Sequence, residues 1–310
     1  MNIYPLKGDG KWFRGNLHCH TTMSDGKVEP SKAIAHYKSN GYDFLAITDH
    51  QLFTDFSMLG DENFMVIPAV ELSVDEDVRL RGEHLLGIQN DNLDVSDDRK
   101  YKHNQPVPRP VWTGRETLQN TIDDFRSRGL ETVVAHPIWS RVELEDIVHL
   151  KDYLGLEIYN YDCVTGNNNG ECTVYWDSIL RRGKKIWGVA DDDAHGYTKK
   201  DSCGGWVMVK AERLDNKSIM KAMTEGKFYA SAGPSIIDYG IEDGEVFVEC
   251  SEVQTICLMS YDPRGGCRWA DEGKSLTSAR FKLDGDETFV RIECIRHDGK
   301  KAWTNPIFLK

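Results

Sequence analysis

"HCHTTMSDG", residues 18–26, is the stretch on which the reading of the whole chain turns. Two imidazoles, His18 and His20, stand one residue apart, and a carboxylate, Asp25, follows five residues later. In an extended segment alternate residues project to one face, so His18 and His20 would share a face while Cys19 points into packing. Imidazole with carboxylate suits zinc, manganese or iron. Alone, the stretch fits equally well with two ordinary polar residues on a strand.

Outward from it, apolar runs of strand length recur: "NLHCH" (16–20), "DFLAITD" (43–49), "FMVIPAVE" (64–71), "EHLLGIQ" (83–89), "ETVVAHP" (131–137), "GLEIYN" (155–160), "KIWGVAD" (185–191) and "WVMVK" (206–210). Helical patterns lie between several of them. "EPSKAIAHYKSNG" turns Ile34 and Tyr37 inward, and "RETLQNTIDDFRSRG" spaces Leu118, Ile122 and Phe125 by four and three. "ELEDIVHLK" and "RLDNKSIMKAMTEG" read the same way. Near-continuously apolar strands alternating with helices predict a parallel sheet or α/β barrel up to about residue 230. From residue 231 the period changes to two, in "EVFVEC", "QTICLMS", "ARFKL" and "TFVRIECIR", with turn signals between. Residues 231–310 are therefore expected to form a small all-β, sandwich-like domain joined through "SAGPS" (231–235).

The polar residues of the first region fall at strand ends. His18 and His20 end the first candidate strand, His50 follows the second, Glu71 the third, His136 ends the fifth, and Asp193 and His195 follow the seventh. His84 opens its strand, but "ELSVDEDVRLRGEHLLG" looks like a hairpin that would turn that strand around and return His84 to the same rim. In a β/α barrel the strand ends that share a rim carry the chemistry. Six of the ten histidines and three carboxylates on one rim exceed the needs of a single ion, so two or three are implied. His36 and His149 lie in helical patterns and His297 in the "RHDGK" turn, and these are read as ordinary surface or packing residues.

The formal charge of the 310-residue chain is −12, which argues against nucleic-acid or anionic-membrane binding through a basic surface. "MNIYPLKGDGKW" (1–12) has no apolar run like an export signal, and no stretch is long enough to span a bilayer. A cytoplasmic protein is the expectation, with its eight scattered cysteines as free thiols.

"HCHTTMSDG", "AITDH", "AHP" and "DDAH", in this order and spacing, resemble the four motifs of the PHP (polymerase and histidinol phosphatase) superfamily. The resemblance spans about residues 12–230 and implies a distorted (β/α)7 barrel over 1–230, followed by the β domain, with a trinuclear centre of divalent ions (manganese, zinc or iron). "FYASAGPSI" (228–236) and "AWTNPIFL" (302–309) are similar to the carbaryl-hydrolase-like branch. By motif, one ion takes His18, His20, Glu71 and Asp193. A second shares Glu71 and adds His84 and His136. A third takes Asp25, His50 and His195. Asp193 is chosen among three consecutive aspartates for its D-x-H spacing to His195, leaving Asp192 as a proton carrier or, with Asp191, a support.

Ions about 3.5–4 Å apart depress the pKa of a shared water, and the implied reaction is in-line attack of a metal-bridging hydroxide oriented by Glu71. Three ions bring +6 against three carboxylates, a cationic pocket suited to a small phosphate mono- or diester. Arg141, Arg81 and Arg79 are candidate phosphate anchors, because a guanidinium grips two oxygens. His103, with Tyr101, Lys102 and Arg109, lies in a long stretch (90–112) that could wall the site, as could 160–172 with "GNNNG". The alternatives are a carbamate or carboxylic ester hydrolase using the same centre, or a metal-stabilised binding module without catalysis.

Overall fold

The computed structural model describes residues 2–74 and 82–310, a mixed α/β molecule dominated by one large sheet with few helices. Seven strands follow one another across it: β1 (Lys11–Asn16), β2 (Phe44–Ile47), β3 (Met65–Ser73), β4 (His84–Gln89), β5 (Leu130–Ala135), β6 (Gly155–Asn160) and β7 (Trp187–Asp191). Pairing is parallel except around β4, which runs antiparallel to both β3 and β5. A single bridge, Cys19–Ala194, joins the chain beyond β1 to the chain beyond β7. β2, β5 and β6 are buried along their whole length, and β3 along all but its first residue. Strands covered on both faces show unbroken apolar runs rather than alternation.

β1 starts earlier than the sequence pattern indicated. Its first four residues, "KWFR", are exposed or half-buried, and His18 and His20 lie just beyond it. Helix α1 (Pro30–Ser39) opens on a proline and buries Ala33, Ile34 and Tyr37; α2 (Glu116–Ser127) buries Leu118, Ile122 and Phe125. The expected helix in "ELEDIVHLK" shrinks to Leu144–Ile147, because the chain turns at once to reach the start of β6. Residues 160–172, expected as a loop, hold α3 (Tyr161–Asn167), whose N-cap Asn160 accepts the Cys163 N–H. α4 (Thr173–Leu180) follows, and α5 (Asn216–Thr224) is capped by Asp215.

β8 (Trp206–Ala211) lies antiparallel along the other edge of β1, and β9 (Phe228–Ser231) along β8. Eight further strands complete the chain: β10 (Ile236–Glu242), β11 (Glu245–Val253), β12 (Thr255–Ser260), β13 (Gly266–Trp269), β14 (Leu276–Lys282), β15 (Phe289–Ile295), β16 (Lys301–Thr304) and β17 (Ile307–Phe308). β10, β11 and β14 form a three-stranded sheet, while β16 pairs with β9, so the large sheet runs without a break across residues 230 and 231. Ile241, Val246 and Val248 of the small sheet pack against Ile256, Val290 and Ile292 of the large one.

One expectation is corrected. Cys257 and Cys267 are disulfide-bonded rather than free thiols, because they face each other on the antiparallel strands β12 and β13. The remaining six cysteines are free. Among the described residues no helix is long and apolar enough to cross a membrane.

Candidate metal centre

The ligand-type side chains gather where the strands end. His18 and His20 follow β1, His50 follows β2, Glu71 lies late in β3, His136 follows β5, and Asp193 and His195 follow β7. Because β4 is reversed, its first residue, His84, stands opposite Ser73 and Ala135 and joins the same group. The backbone here is unusual: φ is 25° at His136, 59° at Asp193 and 50° at Gln51, directly after His50. Non-glycine residues seldom take positive φ, and such strain collects at functional sites.

Residues 18–26 double back on themselves. The Gly26 N–H donates to the Thr21 carbonyl at 3.0 Å, and a Cβ at Gly26 would lie 2.3 Å from the His20 carbonyl oxygen. Asp49 pins the turn, accepting from Thr21 N–H and Oγ1 at 2.8 Å and from Ser24 Oγ at 2.7 Å. Asp25 is carried back over His20, with Oδ1 3.6 Å from Nδ1.

Glu71 organises the interior. His18 Nε2 and His20 Nε2 are 3.3 Å apart, and each lies 3.1–3.3 Å from both Glu71 Oε2 and Asp193 Oδ1. The other oxygen, Oε1, faces His84 Nδ1 at 2.7 Å and His136 Nε2 at 3.2 Å. On the outer side Asp25 Oδ2 lies 3.5 Å from His195 Nε2 and 3.6 Å from His50 Nε2. Donor atoms bound at zinc distances with a tetrahedral angle between them are about 3.3 Å apart, so the spacing fits a shared cation. All nine residues fall into four overlapping clusters of ligand atoms. Three buried atoms within them, Glu71 Oε2, His20 Nδ1 and His50 Nδ1, make no well-aligned hydrogen bond, although Glu71 Oε2 lies 3.1–3.3 Å from His20 Nε2, His50 Nδ1 and His18 Nε2. Buried polar atoms without a well-aligned partner are expensive, a cost that a cation among them would offset.

The imidazoles are fixed from behind. Glu157 Oε1 meets His18 Nδ1 at 2.9 Å, Ser140 Oγ meets His136 Nδ1 at 2.9 Å, and the Asp193 carbonyl meets His195 Nδ1 at 2.8 Å. Each contact leaves Nε2 facing the cluster, the usual arrangement of metal-ligating histidines. Glu157 also accepts the His136 N–H at 2.6 Å and Asn160 Nδ2 at 3.0 Å, and Asn160 donates to Asp193 Oδ2 at 3.1 Å. Neither Glu157 nor Asn160 was singled out in the sequence. The one signal is Glu157, a charged residue inside an otherwise apolar run, and Asn160 carries none.

Burial opposes charge in the interior of the cluster, and for most of its members opposite charges outweigh it. Despite desolvation, Asp193 and Glu71 raise His18, His20 and His136 above the ordinary imidazole range, His20 to about 10. The imidazoles in turn hold Glu71 and Asp193 well below the usual carboxylate range against their own burial. Asp25 is lowered mainly by its hydrogen bond with His195. His50 is lowered, first by burial and then by its imidazole neighbours. Divalent ions would compete with protons for the same nitrogen and oxygen atoms.

The other candidates separate. Asp192 is turned away from the cluster: its carboxylate accepts from Tyr37 OH at 2.9 Å, Cys203 N–H at 2.7 Å, and the N–H groups of Gly204 and Gly205 at 2.8 Å. Burial raises it to about 6, and those four bonds give it the task of holding the 203–205 loop. Asp191 accepts the Leu17 N–H. Arg141 is exposed on the loop after His136, its guanidinium donating to the Ile138 carbonyl at 3.1 Å. His103 Nδ1 accepts the Asp55 N–H at 3.1 Å and its ring packs on Phe56. Arg109 reaches Gln51 Oε1 at 3.3 Å, so the 90–112 stretch runs beside the chain that follows His50. Arg79 and Arg81 lie outside the described residues. His36 lies against Ser202 Oγ at 3.1 Å and belongs to none of the four clusters.

No protein-family model matches the sequence, and no curated protein sequence matches it. Among solved structures, the chain is similar to a two-domain protein from Bacteroides vulgatus containing a predicted PHP-like metal-dependent phosphoesterase. The identity is 14%, 96% of each chain is covered, and the TM-score is 0.50. A protein provisionally described as a metal-dependent phosphoesterase, from Bifidobacterium adolescentis, aligns at 18% identity over 68% of this chain and 96% of that one, with a TM-score of 0.44. The lesion-specific endonuclease Q of Pyrococcus furiosus aligns at 13% identity over 70% of this chain and 56% of its own, with a TM-score of 0.40. The first of these likenesses extends over both parts of the chain and shows the fold.

Proposed function

We infer that the chain is a PHP-type metal-dependent hydrolase, its seven leading strands a distorted barrel, and that it acts as a phosphoesterase on a small mono- or diester. The observation that carries this reading is the division of the Glu71 carboxylate, one oxygen toward His18, His20 and His50 and the other toward His84 and His136. A carboxylate placed this way could be shared by two ions. His18, His20, Glu71 and Asp193 would hold one, Glu71, His84 and His136 a second, and Asp25, His50 and His195 a third. Manganese, zinc and iron all accept such imidazole and carboxylate sets. When bound, the ions supply an activated water at neutral pH and neutralise charge developing on phosphoryl oxygens.

The protein's own residues do the positioning. Glu157, Asn160 and Ser140 keep the ligand nitrogens and Asp193 aimed at one point, and Asp25, whose side chain is 55% exposed, faces the solvent side from which a substrate arrives. Arg141 on the rim offers a guanidinium to phosphate oxygens. The test is metal analysis of the purified protein, paired with hydrolysis of p-nitrophenyl phosphate mono- and diesters and carboxylic esters. At least two bound ions and phosphoester turnover are expected. Fewer than two ions in protein supplied with metal, and no turnover with manganese, zinc or iron, refutes the reading. Glu71→Ala should lose far more metal and activity than His36→Ala, and equal losses would remove Glu71 from its bridging place.

A further inference from the structure

We propose that Trp139 is the specificity platform of this centre and that the substrate carries a planar aromatic group next to its ester. The inference rests on the hydrolase reading and deepens it. "HPIWSR" (136–141) presents a ligand-type imidazole, an indole and a guanidinium within six residues. The indole centroid lies 5.0 Å from the His136 ring and 6.0 Å from the His84 ring, at interplanar angles of 76° and 62°. Neither contact is a face-to-face stack, and 41% of Trp139 stays open to solvent. Of the chain's eight tryptophans, only Trp139 and Trp269 are exposed, and Trp269 lies on β13 of the C-terminal strands. An indole left open against two members of a buried polar cluster has apolar surface to offer an incoming ring.

The platform is held before any ligand arrives. His136 Nδ1 meets Ser140 Oγ at 2.9 Å, the Ser140 N–H donates to the His136 carbonyl at 3.1 Å, and the Val142 N–H donates to the Pro137 carbonyl at 3.0 Å. The Val142 carbonyl is gripped in turn by the Tyr175 hydroxyl at 3.1 Å. A surface fixed in place loses little freedom when it binds. The loop from His20 to Asp25 also exposes an apolar side chain, Met23, and thioethers contact aromatic rings favourably. A ring seated on Trp139 lies beside His84 and His136, which leaves its attached ester among the ligand groups.

Calorimetric titration of the metal-loaded protein with phenylphosphonate and methylphosphonate, neither of which can be hydrolysed as an ester, reads the platform directly. The wild type should bind the phenyl compound about tenfold more tightly, the scale of an added aromatic contact. Trp139→Leu should erase that preference with metal content and methylphosphonate affinity unchanged, and Trp139→Phe should restore most of it. KM for p-nitrophenyl phosphate should rise in Trp139→Leu while KM for propyl phosphate holds. Equal wild-type affinity for the two phosphonates, equal weakening of both in Trp139→Leu, or loss of metal from that variant overturns the platform and leaves the hydrolase reading standing. A wild type that binds neither phosphonate and hydrolyses neither ester overturns the phosphoesterase reading itself.

Discussion

Glu157 orients two of the ligand-type residues at once, His18 and His136. Fully buried, it takes the His18 Nδ1 contact on one oxygen and the His136 N–H on the other, so its charge reaches both halves of the cluster. Carboxylates behind ligand histidines raise ligand basicity and fix the ring. Glu157→Gln keeps the shape and removes the charge, and should weaken metal binding roughly 10–100-fold. Competition titration against a chelator measures this, and unchanged affinity with an intact fold rejects the role. The same pair of residue classes shows what a sequence can and cannot disclose. Seven of the nine ligand-type side chains are legible because they fall in short motifs with fixed internal spacing, and Glu71 and His84 because they stand at the ends of apolar runs. Glu157 and Asn160 sit inside "GLEIYN", where nothing local separates an orienting carboxylate from an ordinary one. Asp191, Asp192 and Asp193 are likewise indistinguishable in "DDDAH"; only the fold sends Asp193 to the histidines and Asp192 to Tyr37 and the 203–205 backbone.

At the scale of elements, the loops matter more than the strands they follow. The turn at 18–26 delivers Asp25 to His50 and His195 only because Gly26 can approach the His20 carbonyl, where a Cβ would sit 2.3 Å away. Gly26→Ala should therefore push Asp25 outward while leaving Glu71, His84 and His136 in place. Metal titration of the variant is expected to lose its weakest binding event and keep the tighter ones; an unaltered profile would show that Asp25 needs no such turn. The strands themselves are largely readable, because full burial makes "FLAI" (44–47) and "VIPAV" (66–70) continuously apolar. The reversal of β4 was also readable, since His84 could reach the rim in no other way. β1 begins before the apolar run because "KWFR" is exposed or half-buried and mixes charge with aromatics. α3 was missed because "YDCVTGN" has no apolar period, and its start depends on a single cap, Asn160 to the Cys163 N–H.

Across the whole molecule, the period-two pattern after residue 231 indicated strands correctly but said nothing about what lies on their second face. In β15, "FVRIECI", Val290, Ile292 and Cys294 enter the core between the two sheets. Arg291 lies on the opposite face, which alternation alone assigns to solvent, yet it is fully buried against the first part of the chain. Its guanidinium meets both oxygens of Asp177 in α4 at 2.7 and 2.8 Å, Glu293 at 2.7 Å, and the ring of Trp176. Asn305 adds a second tie, accepting the Gly188 N–H at 3.1 Å and donating to the Phe228 carbonyl at 3.0 Å. With the large sheet continuous from β9 to β16, these contacts couple both parts of the chain into one folding unit. Urea unfolding should then show a single transition by tryptophan fluorescence and by circular dichroism. Arg291→Met leaves Asp177 and Glu293 without their shared cation in a buried setting, a loss of about 3–5 kcal/mol. Adding Asp177→Leu should recover part of it, because replacing both partners of a buried pair by apolar groups is far milder than removing one. Two separate wild-type transitions, or an Arg291→Met variant in which only one of two transitions moves, would show instead that the C-terminal strands fold as an independent body.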